Sequence, residues 1–240
     1  MGDKISTTTG QDAGEIVAQT LQGLAEFLTG IATTQKSDWA RSIGYLLQRI
    51  RGGHFLHQLA DEIRKYKEAG KISPDYLKSA QSFTCLQELL DFLDNDSPDE
   101  IRFKAMKSLF LGIAFENFSN RNDVLPAQLM KLCRSLSSSE LLVLSATFQI
   151  FLGGEWRAEK SGRVTENTGT TSIWREKVVA ASGLQLTELV EIADLSLVEK
   201  RILAPHHFGD KSGFRYTEHY RLTSLGYRLC QFINSIELTK

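Results

Sequence analysis

The stretch Arg215-Tyr-Thr-Glu-His-Tyr-Arg-Leu-Thr-Ser-Leu-Gly-Tyr-Arg-Leu-Cys-Gln-Phe-Ile233 decides the fold. Its first half alternates as a strand does, and from Thr223 it carries Leu225, Leu229 and Phe232 at helical spacing. Upstream lies a Gly-containing turn between Leu203 and Tyr216, and before that two helical patterns, Trp174 to Ser182 and Thr187 to Leu203. Further back, Ser137-Ser-Ser-Glu140 reads as a capping box, in which a serine hydroxyl and a carboxylate three residues on satisfy each other's free amides. It opens an apolar helix from Leu141 to Phe151. Residues 153–172 have no apolar period and read as a mobile loop.

Helix, helix, hairpin and closing helix is the order of a winged-helix domain. The expected architecture is therefore mainly α: a helical N-terminal region followed by a winged-helix-like domain with a small β-hairpin, over residues 135–240. That scaffold serves DNA readers and protein adaptors alike, so fold alone names no function.

Residues 1–12 are polar and Thr-rich and are expected to be disordered, leaving a helical domain over 13–134. Ile16, Val17, Leu24, Phe27, Leu28 and Ile31 form one helical stripe. A second helix runs from Ser37 or Asp38 to Ile50 and ends at Gly52-Gly53; a third spans His54 to Ala69. Ser73-Pro74 and Ser97-Pro98-Asp99-Glu100 each set a serine cap before a proline at the first helical position. They predict helices over Pro74 to Leu93 and Pro98 to Phe118, with a short one from Pro126 to Cys133.

A hydrophobic share of 42% is that of an ordinary soluble globular protein, and a net charge of −1 excludes a global field that would draw the chain to nucleic acid or an anionic membrane. The run Glu15 to Ala32 is broken by Gln19, Gln22 and Glu26, so no membrane span of about 20 uncharged residues is expected there, and no signal peptide. Three cysteines, Cys85, Cys133 and Cys230, read as buried thiols of a reducing compartment, which points to the cytoplasm.

No catalytic motif is present, and neither an enzyme nor a cofactor is expected. The acidic run Asp91 to Glu100 fails as a calcium loop, having Asp99 and Ala105 where glycine and glutamate are required. His54, His57 and Asp61 share a helical face that could hold a divalent metal, but no fourth ligand is evident and a polar helix face is preferred. His206-His207 would point to opposite strand faces.

Residues 36–71 carry eight basic against four acidic side chains, a net +4, while 75–100 carry seven acidic against one basic, a net −6. Such blocks are expected to satisfy each other or a partner. The helix at the recognition position, Thr187 to Arg201, should turn Leu189, Ile192, Leu195 or Ser196 and Val198 inward. Glu188, Glu191 and Asp194 would then face outward and repel phosphates. Direct DNA reading is thus placed below a protein partner or homo-oligomer; were DNA bound, Arg49, Arg51, Lys65, Lys211 and Arg215 would make the contacts.

The Gly-Lys-Ile-Ser-Pro linker at 70–74, Ser-Pro-Asp-Glu-Ile-Arg at 97–102, Leu-Met-Lys-Leu-Cys-Arg-Ser-Leu-Ser-Ser-Ser-Glu-Leu at 129–141 and Tyr-Arg-Leu-Thr-Ser-Leu-Gly at 220–226 resemble the abortive-infection alpha (Abi-alpha) family of bacterial phage-resistance-associated proteins. The resemblance covers about residues 50–236, with Met106-Lys-Ser-Leu109-Phe110 where the family has Trp-x-x-Leu-Leu. It implies a cytoplasmic bacterial defence or stress protein acting through partners, and it carries no catalytic residues.

Overall fold

In the computed structural model of the chain, residues 53–72, 76, 79–96, 98–115, 124–154, 170–205 and 220–234 are described. They form eight helices: α1 (Gly53–Glu68), α2 (Ala80–Asn95), α3 (Glu100–Phe115), α4 (Val124–Arg134), α5 (Ser138–Gly153), α6 (Thr170–Ser182), α7 (Thr187–Glu199) and α8 (Ser224–Asn234). The fold is mainly α. Among the described residues no strand forms, and the one β element is an antiparallel bridge between Leu203 and Leu222. The hairpin expected around residues 206–219 lies outside the described residues, as do the N-terminal segment 1–12 and the helical patterns before residue 53. The chain divides into two compact units, Met1–Arg134 and Ser135–Lys240.

In the first unit α3 packs against α1, α2 and α4. From Phe103 through Ala114 every residue but Lys104 is buried, as in a helix that is apolar nearly all round. Its one buried cation, Lys107, is matched by Glu62 of α1 at 2.6 Å and lies 5.3 Å from the Phe103 ring centroid. Two helix starts differ from expectation. The segment read as one helix from Pro74 to Leu93 is divided at Ser79: Tyr76 is helical, the Ser79 backbone is extended, and α2 starts after it, with Ser79 Oγ accepting the Ser82 amide at 3.1 Å. At α3 the Asp99 carboxylate takes the Arg102 amide at 2.9 Å, so the cap sits two residues beyond Ser97. Residues 73–75, Ser97 and 116–118 lie outside the described residues.

Among the described residues, carboxylates of both charge blocks find partners elsewhere, and residues 36–52 of the basic block lie outside the described residues. Asp96 accepts from Nε and Nη2 of Arg134 at 2.9 and 3.1 Å, and Glu88 meets Arg134 and Lys131 at 3.5 and 3.7 Å, so these carboxylates are held by α4. Glu62, from the basic block, is held by α3.

The second unit is built around α5, against which α6, α7 and α8 all pack. Its capping box forms as read: Ser137 Oγ accepts the Glu140 amide at 3.3 Å, and the Ser137 amide donates to Glu140 at 2.6 Å. Gly154, at φ 72, ends α5 in the left-handed conformation that glycine adopts without strain. Helix α6 begins at Thr170, inside the loop expected over 153–172; residues 155–169 lie outside the described residues.

Helix α7 was expected to reach Leu203 but stops at Glu199. Arg201 adopts φ 58, its amide donates to Val198 O at 2.9 Å and the Ile202 amide to Leu197 O at 2.9 Å. These are the two bonds of a Schellman stop, with arginine where glycine usually sits. Helix α8 is capped by Thr223, whose Oγ1 accepts the Gly226 amide at 3.0 Å. Its hydroxyl donates toward the carbonyls of Arg201 and Ile202 at 2.8 and 3.0 Å, fixing α8 to the end of α7.

The core of this unit is partly the expected one. Leu141, Leu144, Phe148, Leu229 and Phe232 are buried, and Cys230 is buried as expected. Leu225, Leu189, Ile192 and Leu195 are exposed, and Val198 is half-buried.

Candidate functional site

The inward face of α7 is Val190, Ala193 and Leu197, one stripe of i, i+3 and i+7, rather than the larger side chains one register over. Polar pairs on the flanks of that stripe set the register. Asp194, expected to face outward, turns in and binds the buried Arg221 guanidinium at 2.8 Å. Arg221 also donates through Nε and Nη2 to Ala204 O at 3.2 and 2.9 Å, and its guanidinium stacks 4.2 Å from the Trp174 ring centroid. Burial lowers the Arg221 pKa from its ordinary value, and Asp194 opposes that shift.

A second fastening holds the other end of the helix. Ser196 donates to Glu140 Oε1 at 2.5 Å, and Lys200 forms an ion pair with the same oxygen. Burial alone would raise the Glu140 pKa, but the bonds from Lys200, Ser196 and Ser137 outweigh it and hold the carboxyl below the usual glutamate value. A third contact, Arg175 to Glu191 at 2.9 Å, ties α7 to α6.

With its inner face so fixed, α7 presents large apolar side chains to solvent: Leu186 is 58% exposed, Leu189 41%, Ile192 65% and Leu195 71%. Glu188 and Glu199 are exposed as well. The four positions Glu188, Ile192, Leu195 and Glu199 follow one another by four, three and four residues, which at 3.6 residues per turn is a single line along the helix surface. The line is two apolar side chains between two carboxylates about 16 Å apart by helical rise. Its spacing and the outward turn of Glu188 were legible in the sequence, but the exposure of Ile192 and Leu195 was not.

The other sequence candidates fare as follows. Lys65 is exposed on α1, whereas Arg49, Arg51, Lys211 and Arg215 lie outside the described residues. Asp61, the carboxylate of the proposed histidine face, forms an ion pair with Arg64, and the side chains of His54 and His57 lie outside the described residues. Among the described residues no three His, Cys, Asp or Glu side chains converge as a metal site. No described helix is long and apolar enough to cross a membrane by itself. Cys85, Cys133 and Cys230 are free and buried, and burial pushes the thiols of Cys85 and Cys133 up to about 12. No family model, no curated protein and no solved structure matches this chain.

Proposed function

We propose that the chain is a non-enzymatic interaction or regulatory protein whose residues 135–240 form a winged-helix-like module that binds a protein rather than reading DNA. The observation that carries this is the exposed face of α7: Leu189, Ile192 and Leu195 flanked by Glu188 and Glu199. A helix entering the major groove runs between phosphates, and carboxylates there are repelled and desolvated. An apolar surface rimmed by charge is instead what protein partners cover. The order α5, α6, α7, the Leu203–Leu222 bridge and α8 supports the winged-helix-like assignment, the bridge falling where the base of a wing would lie. The buried thiols support a reducing compartment. The resemblance to the Abi-alpha family favours a bacterial defence or stress role in the cytoplasm.

Two measurements test the reading. A photo-crosslinking residue at position 192 should capture a discrete protein in extract of the producing cells, and the same residue at exposed Glu176 should not. Titration with random duplex at about 150 mM salt should give nothing tighter than roughly 10⁻⁴–10⁻⁶ M, the ordinary non-specific range. Nanomolar duplex binding with a steep salt slope would establish the DNA-regulator alternative instead.

A further inference from the structure

Resting on that protein-binding reading, we infer that α7 receives an amphipathic helix whose apolar seam is bracketed by two basic residues, in the spacing basic, apolar four on, apolar three further, basic four further. The receiving line is Glu188, Ile192, Leu195 and Glu199. Because its spacing of four, three and four is the same read in either direction, it accepts such a helix parallel or antiparallel. Apolar anchors seated between neighbouring turns supply contact area, as in other helix-on-helix recognition, and the end charges fix register.

Charge selects the occupant. The helix carries Glu188, Glu191, Asp194 and Glu199 and no base between Thr187 and Glu199. Arg175 and Arg221 take Glu191 and Asp194, which leaves Glu188 and Glu199 as the exposed acids of this line. A second copy laid on the same line opposes Glu188 to Glu199 when antiparallel and each to itself when parallel, so both arrangements set like charges together. A basic-ended helix meets neither penalty, and a phosphate backbone meets the repulsion twice.

The test uses the full chain and a fluorescein-labelled, stapled 16-residue helical peptide with Lys at positions 2 and 13 and Leu at 6 and 9. A matched peptide has Glu at 2 and 13. Fluorescence anisotropy should show the lysine peptide binding roughly tenfold or more tightly than the glutamate one, since two exposed attractive pairs replace two repulsive ones. Glu188→Lys with Glu199→Lys should invert that preference, and Ile192→Ser with Leu195→Ser should abolish binding of both; circular dichroism establishes that each variant is folded. Equal affinity for the two peptides, or binding indifferent to positions 192 and 195, would overturn the inference. So would self-association in sedimentation velocity that disappears in the Ile192→Ser, Leu195→Ser variant, because the face would then be covered by a second copy. If the peptides fail to discriminate while crosslinks from position 192 persist, α7 binds a protein of other chemistry, and only the partner assignment falls.

Discussion

Gly226→Ala sets two well-known effects against each other at one atom. In a helix interior alanine is favoured over glycine by about 1 kcal/mol. A Cβ on Gly226, however, would stand 2.1 Å from the Ile202 carbonyl oxygen and 3.0 Å from its carbon, with backbone on both sides of the contact. Ordinary carbon–oxygen contact begins near about 3.3 Å, so α8 and the end of α7 must part by roughly 1 Å. That carbonyl accepts from the Thr223 amide at 3.1 Å and the Thr223 hydroxyl at 3.0 Å, and both bonds are stretched by the move. Overpacking costs about 1–3 kcal/mol and the two bonds about 0.5–1.5 kcal/mol each, so after the propensity gain of about 1 kcal/mol a net loss of about 1–5 kcal/mol is expected. Trp174, buried in the same unit, reports on guanidinium unfolding once Trp39 and Trp156 are changed to Phe in both parent and variant. The exposed neighbour Leu225 is the control, and Leu225→Ala should shift stability by no more than about 0.5 kcal/mol. An unchanged midpoint for Gly226→Ala, or one raised by the propensity value, would refute the close approach of α8 to Ile202.

Four further outcomes are expected. Phe232→Ala, at a fully buried ring, should cost about 3–5 kcal/mol in the same assay, from lost burial plus an unfilled cavity. Arg201→Gly should raise stability by about 1 kcal/mol, because arginine at φ 58 bears a left-handed penalty that glycine does not. Ellman's reagent should find the three thiols unreactive in the native protein and all three reactive in denaturant, since burial raises the pKa of Cys85 and Cys133 to about 12 and Cys230 is equally enclosed. The Glu140 carboxyl titrates lower folded than unfolded, so its contribution is full above the ordinary glutamate value of about 4.3 and disappears as pH falls through the lower folded value. Unfolding midpoints measured from pH 6 down to pH 3 should therefore drop less steeply for Glu140→Gln than for the parent, and parallel curves would refute the assignment.

What the sequence revealed was local. The Ser137 capping box, the Thr223 helix start and the apolar character of α3 depend on residues within a turn of one another, and each formed. The stop at Arg201 was hidden because the usual glycine is absent and the motif rests on two backbone bonds. The register of α7 was hidden for a longer-range reason. Ranking apolar residues by size favours Leu189, Ile192 and Leu195, whereas Arg221, arriving from beyond the bridge, draws Asp194 inward and the large side chains out with it. Of the acids expected to face outward, Glu188 and Glu191 do and Asp194 does not, while the apolar residues expected in the core, Leu189, Ile192 and Leu195, are exposed.

The Glu140 carboxylate has a mechanical consequence. One oxygen fastens the first turn of α5 through the Ser137 amide, and the other fastens the last turn of α7 through Ser196 and Lys200. It is a rivet through two helices. A load applied along α7 cannot be absorbed at Ser196 alone, because displacing that hydroxyl pulls on the group that anchors Ser137. Ser137 stands two residues past the point where one compact unit gives way to the next at Ser135. Tension on α7 is therefore delivered to the first turn of α5.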